Sequence, residues 1–331
     1  MVKCIGTVLS DVRRVAGIPL ASKPAEVIPM PRPAAYAAPP PATPLWEGYG
    51  YGLLGVLVFS LTLPMTRVAV AELPPLLIGL GRALLAAVPA ALLLWATRSR
   101  LPARGEWTGV LLAALGIVVG WPLASTLAMA SVPAAHGAVF NGLLPLSTAL
   151  FAAWRSGERP SPAFWAWAVA GAILVMAFAL RQGHGTLQTG DLWLLLAVLL
   201  GGMGYAEGAR ASRTLGGWRT ICWALVVSAP VVAVPVAWLG TDTAWPSAAT
   251  IAAFAYLAFG SMFLGFFAWY RGLAVGGIAR VGQVQLLQPF LTVAAAALLF
   301  HEAVEPATFL FALAVIVVIA GGRHAIVRSA S

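Results

Sequence analysis

The chain has 331 residues, of which 60% are hydrophobic and 9% charged, and its formal net charge is +9. Soluble domains carry about 25% charged residues, and a fold of this length could not bury so much apolar surface away from water. The composition therefore excludes an ordinary soluble domain and indicates a protein that spans a lipid bilayer.

Residues 1–45 differ in composition from the rest of the chain. They are rich in proline and alanine, end in the run PPPATP before Leu45, and contain no long apolar stretch. Such a composition is typical of a disordered or polyproline-like tail. No apolar core follows Lys3, so the segment is not a secretory signal. Met30, shortly before the first apolar stretch, leaves open a later translation start.

Apolar stretches separated by short polar breaks follow from Tyr49 onward. A helix needs about 20 residues to cross the hydrocarbon core of a bilayer. The predicted spans are Tyr49–Val70, Pro75–Thr97, Trp107–Ala128, Ala134–Trp154, Ala163–Leu180, Leu192–Ala211, Ile221–Leu239, Ile251–Arg271, Ile278–Phe300 and Thr308–Gly322. The sequence therefore predicts an all-α integral membrane protein with ten transmembrane helices.

The basic residues indicate how the chain is oriented. With the N-terminus in the cytoplasm, 17 of the 20 basic residues lie in the tail or on the cytoplasmic side, whereas only Arg67 and Arg181 lie outside. This bias predicts that both termini lie in the cytoplasm. The predicted location is the plasma membrane, which in a bacterium is the inner membrane, and the protein crosses it several times. Because these charges are spread over membrane-flanking loops, the isoelectric point near 10.4 does not indicate a nucleic-acid partner.

A pattern of two prolines and a glutamate occurs twice, 144 residues apart. The matched pairs are Pro145 with Pro289, Glu158 with Glu302, and Pro162 with Pro306. Each copy belongs to five predicted helices, and an odd number of crossings inverts the second copy in the membrane. The sequence therefore predicts two inverted five-helix repeats, residues 46–182 and 183–331, an arrangement found in many transporters.

An amide side chain lies four residues before the first proline of each copy, as Asn141 and Gln285. A proline inside a helix cannot donate a hydrogen bond to the carbonyl four residues earlier, so Pro145 and Pro289 free the carbonyls of these two amides. Polar backbone at membrane depth is tolerated where it lines a cavity or is buried in protein. We therefore expect these four residues to line a solute pathway; the alternative is ordinary kinks, with the amides bonded to neighbouring helices.

Two charged residues stand out within the predicted spans. A membrane-centred arginine costs roughly 2.5–3.5 kcal/mol, so Arg82 would attract a carboxylate-bearing solute or water, or else pair with helix carbonyls or with Glu72. Glu207 is the only carboxylate inside a predicted span. It would line the pathway, bind a cation or relay protons; the alternative is an i,i+3 ion pair with Arg210.

Small residues four apart predict close helix packing. Gly204 and Gly208 form one such pair and Gly116 and Gly120 another. No predicted strand precedes Gly204, which argues against a dinucleotide-binding loop, so packing is the expectation at both pairs.

Residues near predicted helix ends have expected roles outside the pathway. Trp269 and Tyr270 are expected to anchor a helix at the membrane interface, where aromatic residues are enriched. Glu158 and Glu302 each follow a helix and precede a proline. They are expected to organise turns rather than to contact the solute.

Several of these residues occur together in a fixed order. They are Arg82, the stretch that ends at Pro145, GERP at Gly157–Pro160, Gln288–Pro289 and His301–Glu302. This set resembles the drug/metabolite transporter superfamily, EamA type, over nearly all the chain beyond the tail. The resemblance implies inverted repeats around a central cavity, with alternating access and secondary transport, often export, of amino acids or other small metabolites. The chain departs from the family pattern at Gly204, where tryptophan is common, and at HEAV in place of a second GERP.

No residue set has the spacing of a catalytic or metal site. The cysteines are Cys4 and Cys222, and the four histidines are scattered. The sequence therefore predicts no catalytic residue, metal or cofactor. The predicted function is secondary transport of a small polar, carboxylate-bearing solute across the lipid bilayer, with a homodimer left open. The alternatives are a membrane scaffold or accessory subunit, an integral-membrane enzyme, and an exporter of apolar xenobiotics.

Overall fold

The computed structural model describes residues 45–129, 140–182, 189–239, 245–300 and 306–322, together with Ala325 and residues 327–329. These residues lie in one compact unit, Thr43–Ser331. The predicted tail before Leu45 and the second copy of the glutamate motif, His301 and Glu302, fall outside the described residues.

Helices make up most of the described chain. In order they are α1 (Leu45–Ala69), α2 (Pro75–Ala96), α3 (Arg104–Ala128), α4 (Leu144–Arg155), α5 (Pro162–Gln182), α6 (Thr189–Leu215), α7 (Gly217–Leu239), α8 (Ala248–Gly276), α9 (Ile278–Leu299) and α10 (Pro306–Gly322). Two short antiparallel strands, β1 (Glu158–Pro160) and β2 (Val327–Ser329), pair with each other. This strand pair was not predicted from the sequence.

Seven of these helices are long and apolar enough to cross a membrane, namely α1 to α3 and α6 to α9. Helices α5 and α10 contribute the shorter apolar segments Pro162–Phe178 and Pro306–Gly322, and α4 has 12 residues. The prediction of a helical membrane protein is confirmed, whereas ten full-length spans are not confirmed within the described residues.

The repeated prolines mark helix starts. Pro162 is the first residue of α5, and Pro306 is the first residue of α10. The first N–H groups of a helix have no partner within it, so a proline there loses no hydrogen bond and its fixed φ favours the helix. This is why the second proline of the repeated motif lies at equivalent places in both halves.

The packing of the helices follows the sequence repeat. Helix α1 packs on α8, and the equivalent pair, α6 and α3, also packs together. Helices α2 and α7 pack on each other, as do α4 with α9 and α5 with α10. Each of these last pairs joins a helix of the first half to its counterpart in the second. The two halves therefore share one core rather than folding as separate bodies.

Close packing of glycines joins α3 to α6. A Cβ atom added to Gly116 would lie 2.8 Å from the Cα of Gly204, closer than real contacts allow. A side chain at Gly208 would collide with the ring of Tyr270. Small residues let helix backbones approach closely within a membrane. Gly116 and Gly204 are used in that way, whereas Gly208 leaves room for an aromatic side chain of α8.

The expected interfacial role of Trp269 and Tyr270 is wrong. Both side chains are fully buried in the core that α8 shares with α1 and α6. The Trp269 backbone lies against Gly55 of α1, and the Tyr270 hydroxyl donates a hydrogen bond to the carbonyl of Gly204 at 3.1 Å. An aromatic residue near a helix end can lie on the core side of that helix, and sequence position alone does not distinguish the two sides.

Candidate functional site

A cavity lies where both halves of the chain meet. It contains about 560 Å³ of space between protein atoms, part of it open to solvent. Its lining residues come from α1 to α4, from the position of Asn141 just before α4, and from α6, α8 and α9. They are Phe59, Thr62, Leu63, Arg82, Ile117, Trp121, Asn141, Leu144, Tyr205, Ser261, Met262, Phe266, Gln285 and Gln288. Three of the predicted pathway residues, Arg82, Asn141 and Gln285, are therefore brought together in one cavity.

Arg82 is the charged residue of this lining. Its side chain is 6% exposed, and its guanidinium carbon lies 5.6 Å from the centre of the Trp121 ring, which is cation–π distance. Its Nε has no hydrogen-bond partner. Among the described residues no carboxylate forms an ion pair with it. Glu72, one of the alternative partners left open by the sequence, instead accepts a hydrogen bond from the N–H of Ser247 at 2.6 Å. The guanidinium thus keeps a free donor at the cavity.

Gln285 supplies a free acceptor to the same cavity. Its side-chain nitrogen donates to the hydroxyl of Tyr205 at 3.3 Å and to the side-chain oxygen of Gln288 at 3.2 Å. Its own side-chain oxygen has no partner, although the residue is only 5% exposed. A buried polar atom without a partner costs about 1–3 kcal/mol. A solute or water that hydrogen-bonds there would remove this cost.

Breaks in two helices place both amides in the cavity. A turn at Gly142 and Leu143 separates Asn141 from the start of α4, and a 3₁₀ segment, Gln283–Leu287, interrupts α9. Regular α-helix then begins at Leu144 and at Gln288, two residues separated by 144 positions. The two breaks are therefore equivalent under the sequence repeat.

The predicted role of the two prolines needs correction. Pro145 and Pro289 are not kinks inside continuous α-helices, since each is the second residue of an α-helical segment that follows a break. Neither proline lines the cavity; their preceding neighbours Leu144 and Gln288 do. Proline is tolerated at such starts because the first N–H groups of a helix are unpaired within it.

A second pair of equivalent irregularities also borders the cavity. Helix α3 widens into a π-helical stretch at Ala114–Gly120, and α8 does so at Tyr256–Gly265. Ile117 and Ser261, which are 144 positions apart, line the cavity from these stretches. Such π-helical turns are rare in proteins overall, and those that occur are often found at functional sites. These turns were not predicted from the sequence because they leave no periodic signal.

Glu207 lies elsewhere and is fully paired. Its carboxylate accepts from Nε of Arg155 at 2.6 Å and from Nη2 of Arg210 at 2.6 Å. It is completely buried and is not part of the cavity lining. The i,i+3 ion pair with Arg210 is thus formed, and Arg155 of α4 forms a second ion pair with the same carboxylate. The structure does not bring Glu207 to the predicted pathway.

Comparison with known proteins agrees with this architecture. The sequence pattern of the EamA-like transporter family matches residues 46–185 and again residues 188–321. The chain belongs to the EamA-like transporter family. It is therefore a membrane transporter with a duplicated family unit.

Two individual proteins illustrate the relationship within the EamA-like family and its fold. The chain is 45% identical over 280 residues to the uncharacterized transporter YdeK of Bacillus subtilis (strain 168). The matched region covers 84% of this chain and 97% of YdeK. A protein of known crystal structure is similar in fold, with a TM-score of 0.69 and 21% identity, over 84% of this chain and 95% of the other.

Several lining residues of this EamA-like transporter were not anticipated. Tyr205 directly follows Gly204, the position where the chain departs from the family pattern, and it brings an aromatic ring to the cavity. Trp121 was missed because a tryptophan in an apolar stretch is indistinguishable from a lipid-facing one. Thr62 and Ser261, whose hydroxyl oxygens are 2.9 Å apart, were also not predicted to line the cavity. Gln288 was noted only as part of a motif.

The described residues contain no group of three or more metal-ligating side chains that could hold an ion. Within this part of the chain the cavity presents a guanidinium, amides, hydroxyls and aromatic rings. Such groups bind and orient a solute by hydrogen bonds and charge.

Proposed function

We propose that this protein is a secondary transporter that exports small polar metabolites bearing a carboxylate across the bacterial inner membrane, by alternating access of two inverted repeats. The observation that carries the proposal is Arg82, a buried arginine with a free Nε donor in a cavity built from both halves of the chain.

The energetics of Arg82 favour an anionic solute. An arginine at membrane depth costs roughly 2.5–3.5 kcal/mol even on lenient scales, and no described carboxylate pairs with it. A solute carboxylate would accept two parallel hydrogen bonds from the planar guanidinium fork, a geometry that an ammonium group cannot provide. Binding of the solute would therefore compensate a charge that the protein leaves without a counter-ion.

The remaining lining indicates the rest of the solute. Asn141, Gln285 and the hydroxyls of Thr62 and Ser261 offer hydrogen bonds, whereas Phe59 and other aromatic and aliphatic side chains offer apolar contact. A solute with one acidic group and a compact apolar portion matches both kinds of wall. The aromatic share of the lining also favours a second candidate, export of apolar xenobiotics, for which Arg82 would have no role.

The paired breaks suggest how access could alternate. Regular helix resumes at Leu144 in α4 and at Gln288 in α9, and an amide residue at each break, Asn141 or Gln285, lines the same cavity. In transporters built from inverted repeats, interrupted helices of this kind meet at the substrate site while the halves move around it. We infer that the two breaks act as paired bends, one in each half.

Flux in proteoliposomes tests the proposal. Purified protein would be assayed with amino acids and small carboxylic acids, each beside the corresponding amide, which lacks the carboxylate, with and without a proton gradient. We expect uptake or counterflow of at least one acid and none of its amide, with empty liposomes as the control. Transport of apolar dyes without any acid would favour the xenobiotic exporter. No flux of either class would favour a scaffold or accessory subunit.

A further inference from the structure

A second, smaller cavity lies at one end of the helix bundle. It contains about 260 Å³ of space between protein atoms, part of it open to solvent. The lining residues lie near the starts of α1, α5 and α9 and near the end of α10. They are Tyr49, Phe164, Trp167, Ala168, Arg280, Gln283, Val318, Ile319 and Gly322. None of them lines the larger cavity that contains Arg82.

Two hydrogen-bond donors in this second cavity have no acceptor. Nε of Arg280 is buried and unpartnered, although its Nη2 donates to the carbonyl of Ala325 at 3.0 Å. The side-chain nitrogen of Gln283 is also unpartnered, and this residue is only 7% exposed. Two buried donors, one of them on a cation, therefore lack a hydrogen-bond acceptor, and a ligand with several anionic oxygens offers one to each.

The position of the cavity suggests where this acceptor comes from. Four helix ends surround it, so it lies at the level where the bundle meets the membrane surface, on the side that the basic residues predict to be cytoplasmic. Trp167 is partly exposed beside it, and Val318 and Ile319 form an apolar wall. A basic pocket between helix ends, bordered by apolar side chains, is the type of site that holds a lipid headgroup against its acyl chains.

We propose that this second cavity binds the phosphate of an anionic phospholipid. The phosphodiester oxygens accept hydrogen bonds from Nε of Arg280 and from the amide nitrogen of Gln283. The glycerol and upper acyl chain lie along Trp167, Val318 and Ile319. Arginine suits this ligand because its guanidinium is weakly hydrated and matches phosphate geometry.

This lipid site has a structural connection to the solute cavity. Gln283 is the first residue of the 3₁₀ segment of α9, and Gln285, two residues later, reaches the larger cavity. A phosphate held at Gln283 would therefore steady the segment that positions the free amide oxygen of Gln285. Binding of the lipid does not depend on the identity of the transported solute.

Thermal unfolding of the delipidated, detergent-purified protein tests the proposal. The midpoint would be measured with phosphatidylglycerol, with phosphatidylcholine of the same acyl chains, and with glycerol 1-phosphate alone. We expect phosphatidylglycerol to raise the midpoint more than phosphatidylcholine does, and glycerol 1-phosphate to have no comparable effect. Loss of one basic contact should weaken phosphatidylglycerol binding about fivefold in Arg280→Ala.

Two further variants make the experiment specific. Gln283→Leu removes the second donor at similar volume and should reduce the same preference, which keeps the test valid should Arg280→Ala fold poorly. Arg104→Ala removes an exposed charge outside the cavity and should keep the full preference. The proposal is overturned if both lipids raise the unfolding midpoint of the wild type equally. It is also overturned if Arg280→Ala and Gln283→Leu keep the full preference for phosphatidylglycerol, or if Arg104→Ala loses that preference to the same extent. An equal effect of glycerol 1-phosphate would overturn the lipid as the source and assign the cavity to a soluble phosphate ester.

Discussion

The carboxylate of Glu158 accepts a hydrogen bond from the backbone N–H of Ile278 at 2.8 Å, across 120 positions of the chain. The oxygen bonded to Ile278 also accepts a hydrogen bond from Arg213, and the other carboxylate oxygen accepts one from the N–H of Ala279. The first N–H groups of a helix have no partner within the helix, so this carboxylate completes the start of α9. The glutamate of the repeated motif therefore organises more than its own turn: it connects the first half of the chain to the helix that carries Gln285.

Removal of this carboxylate should destabilise the protein. Glu158→Ala leaves two helix N–H groups and Arg213 without their acceptor in a buried place, which we expect to lower the free energy of unfolding by about 2 kcal/mol. Thermal unfolding in detergent would measure the effect. Glu47→Ala serves as the control, because the Glu47–Arg271 pair at 3.4 Å is partly exposed to solvent and exposed ion pairs contribute little. An unchanged midpoint in Glu158→Ala would contradict the expected role.

Arg82→Ala should abolish transport, and Arg82→Lys should impair it, because a point charge replaces a bidentate fork. Initial rates in proteoliposomes would measure both. Arg219→Ala is a matched control, since Arg219 also lies over a tryptophan, 4.6 Å from the ring centre of Trp218, but does not line the solute cavity. Normal flux in Arg82→Ala, with monodisperse protein, would show that the arginine does not recognise the solute.

Pro145→Ala and Pro289→Ala should each slow transport while leaving stability nearly unchanged. Each proline is the second residue of its helical segment, where an N–H is not required, so alanine costs little and lets regular helix extend back through the break. Because the repeats are predicted to be inverted, the two variants should bias the cavity toward opposite sides. Thiol labelling of Asn141→Cys and Gln285→Cys in each background would report this bias. Equal labelling and unchanged flux would leave the prolines without a role in alternation.

Reporter fusions should place Arg98, Arg159 and Arg213 in the cytoplasm and Arg181 and Asp242 outside. The reason is the distribution of basic residues, 17 on one side against two on the other, which orients membrane proteins during insertion. Paired phosphatase and fluorescent-protein fusions at each position would provide the measurement. A consistent reversal would show that the charge bias does not set the topology and that both termini lie outside.

The contact of Glu72 with Ser247 should depend on pH. The backbone N–H of Ser247 donates to the Glu72 carboxylate and lowers the pKa of that group below its ordinary value of 4.5. A lowered folded-state pKa contributes stability above the unfolded-state pKa, and this contribution is lost as the pH falls through the folded-state pKa. The midpoint difference between wild type and Glu72→Gln should therefore be present at neutral pH and shrink below about pH 4.5. A difference that grows on acidification would contradict this.

The class of the protein was readable from local chemistry. Apolar stretches of membrane-crossing length and few charges indicated a bilayer protein, and the spacing of Pro145, Glu158 and Pro162 with their later counterparts indicated a duplication. Pro145 and Pro162 act locally, at the starts of helical segments, so their role is readable without the rest of the fold, whereas Glu158 also binds the start of α9, 120 positions away. Arg82, Asn141 and Gln285 were each predicted from the sequence as candidate pathway residues, because a polar side chain in a membrane span has few stable places.

Only the tertiary structure decided which side of each helix faces which neighbour. Trp269 and Tyr270 are core residues, Glu207 is held by two arginines, and Tyr205 and Trp121 line the cavity. The π-helical turns of α3 and α8 and the free donors of the second cavity likewise depend on contacts between helices far apart in the chain. In a span that is apolar all round, periodicity does not mark a buried face. The partner of each side chain is therefore set by long-range packing, which no local pattern in the sequence encodes.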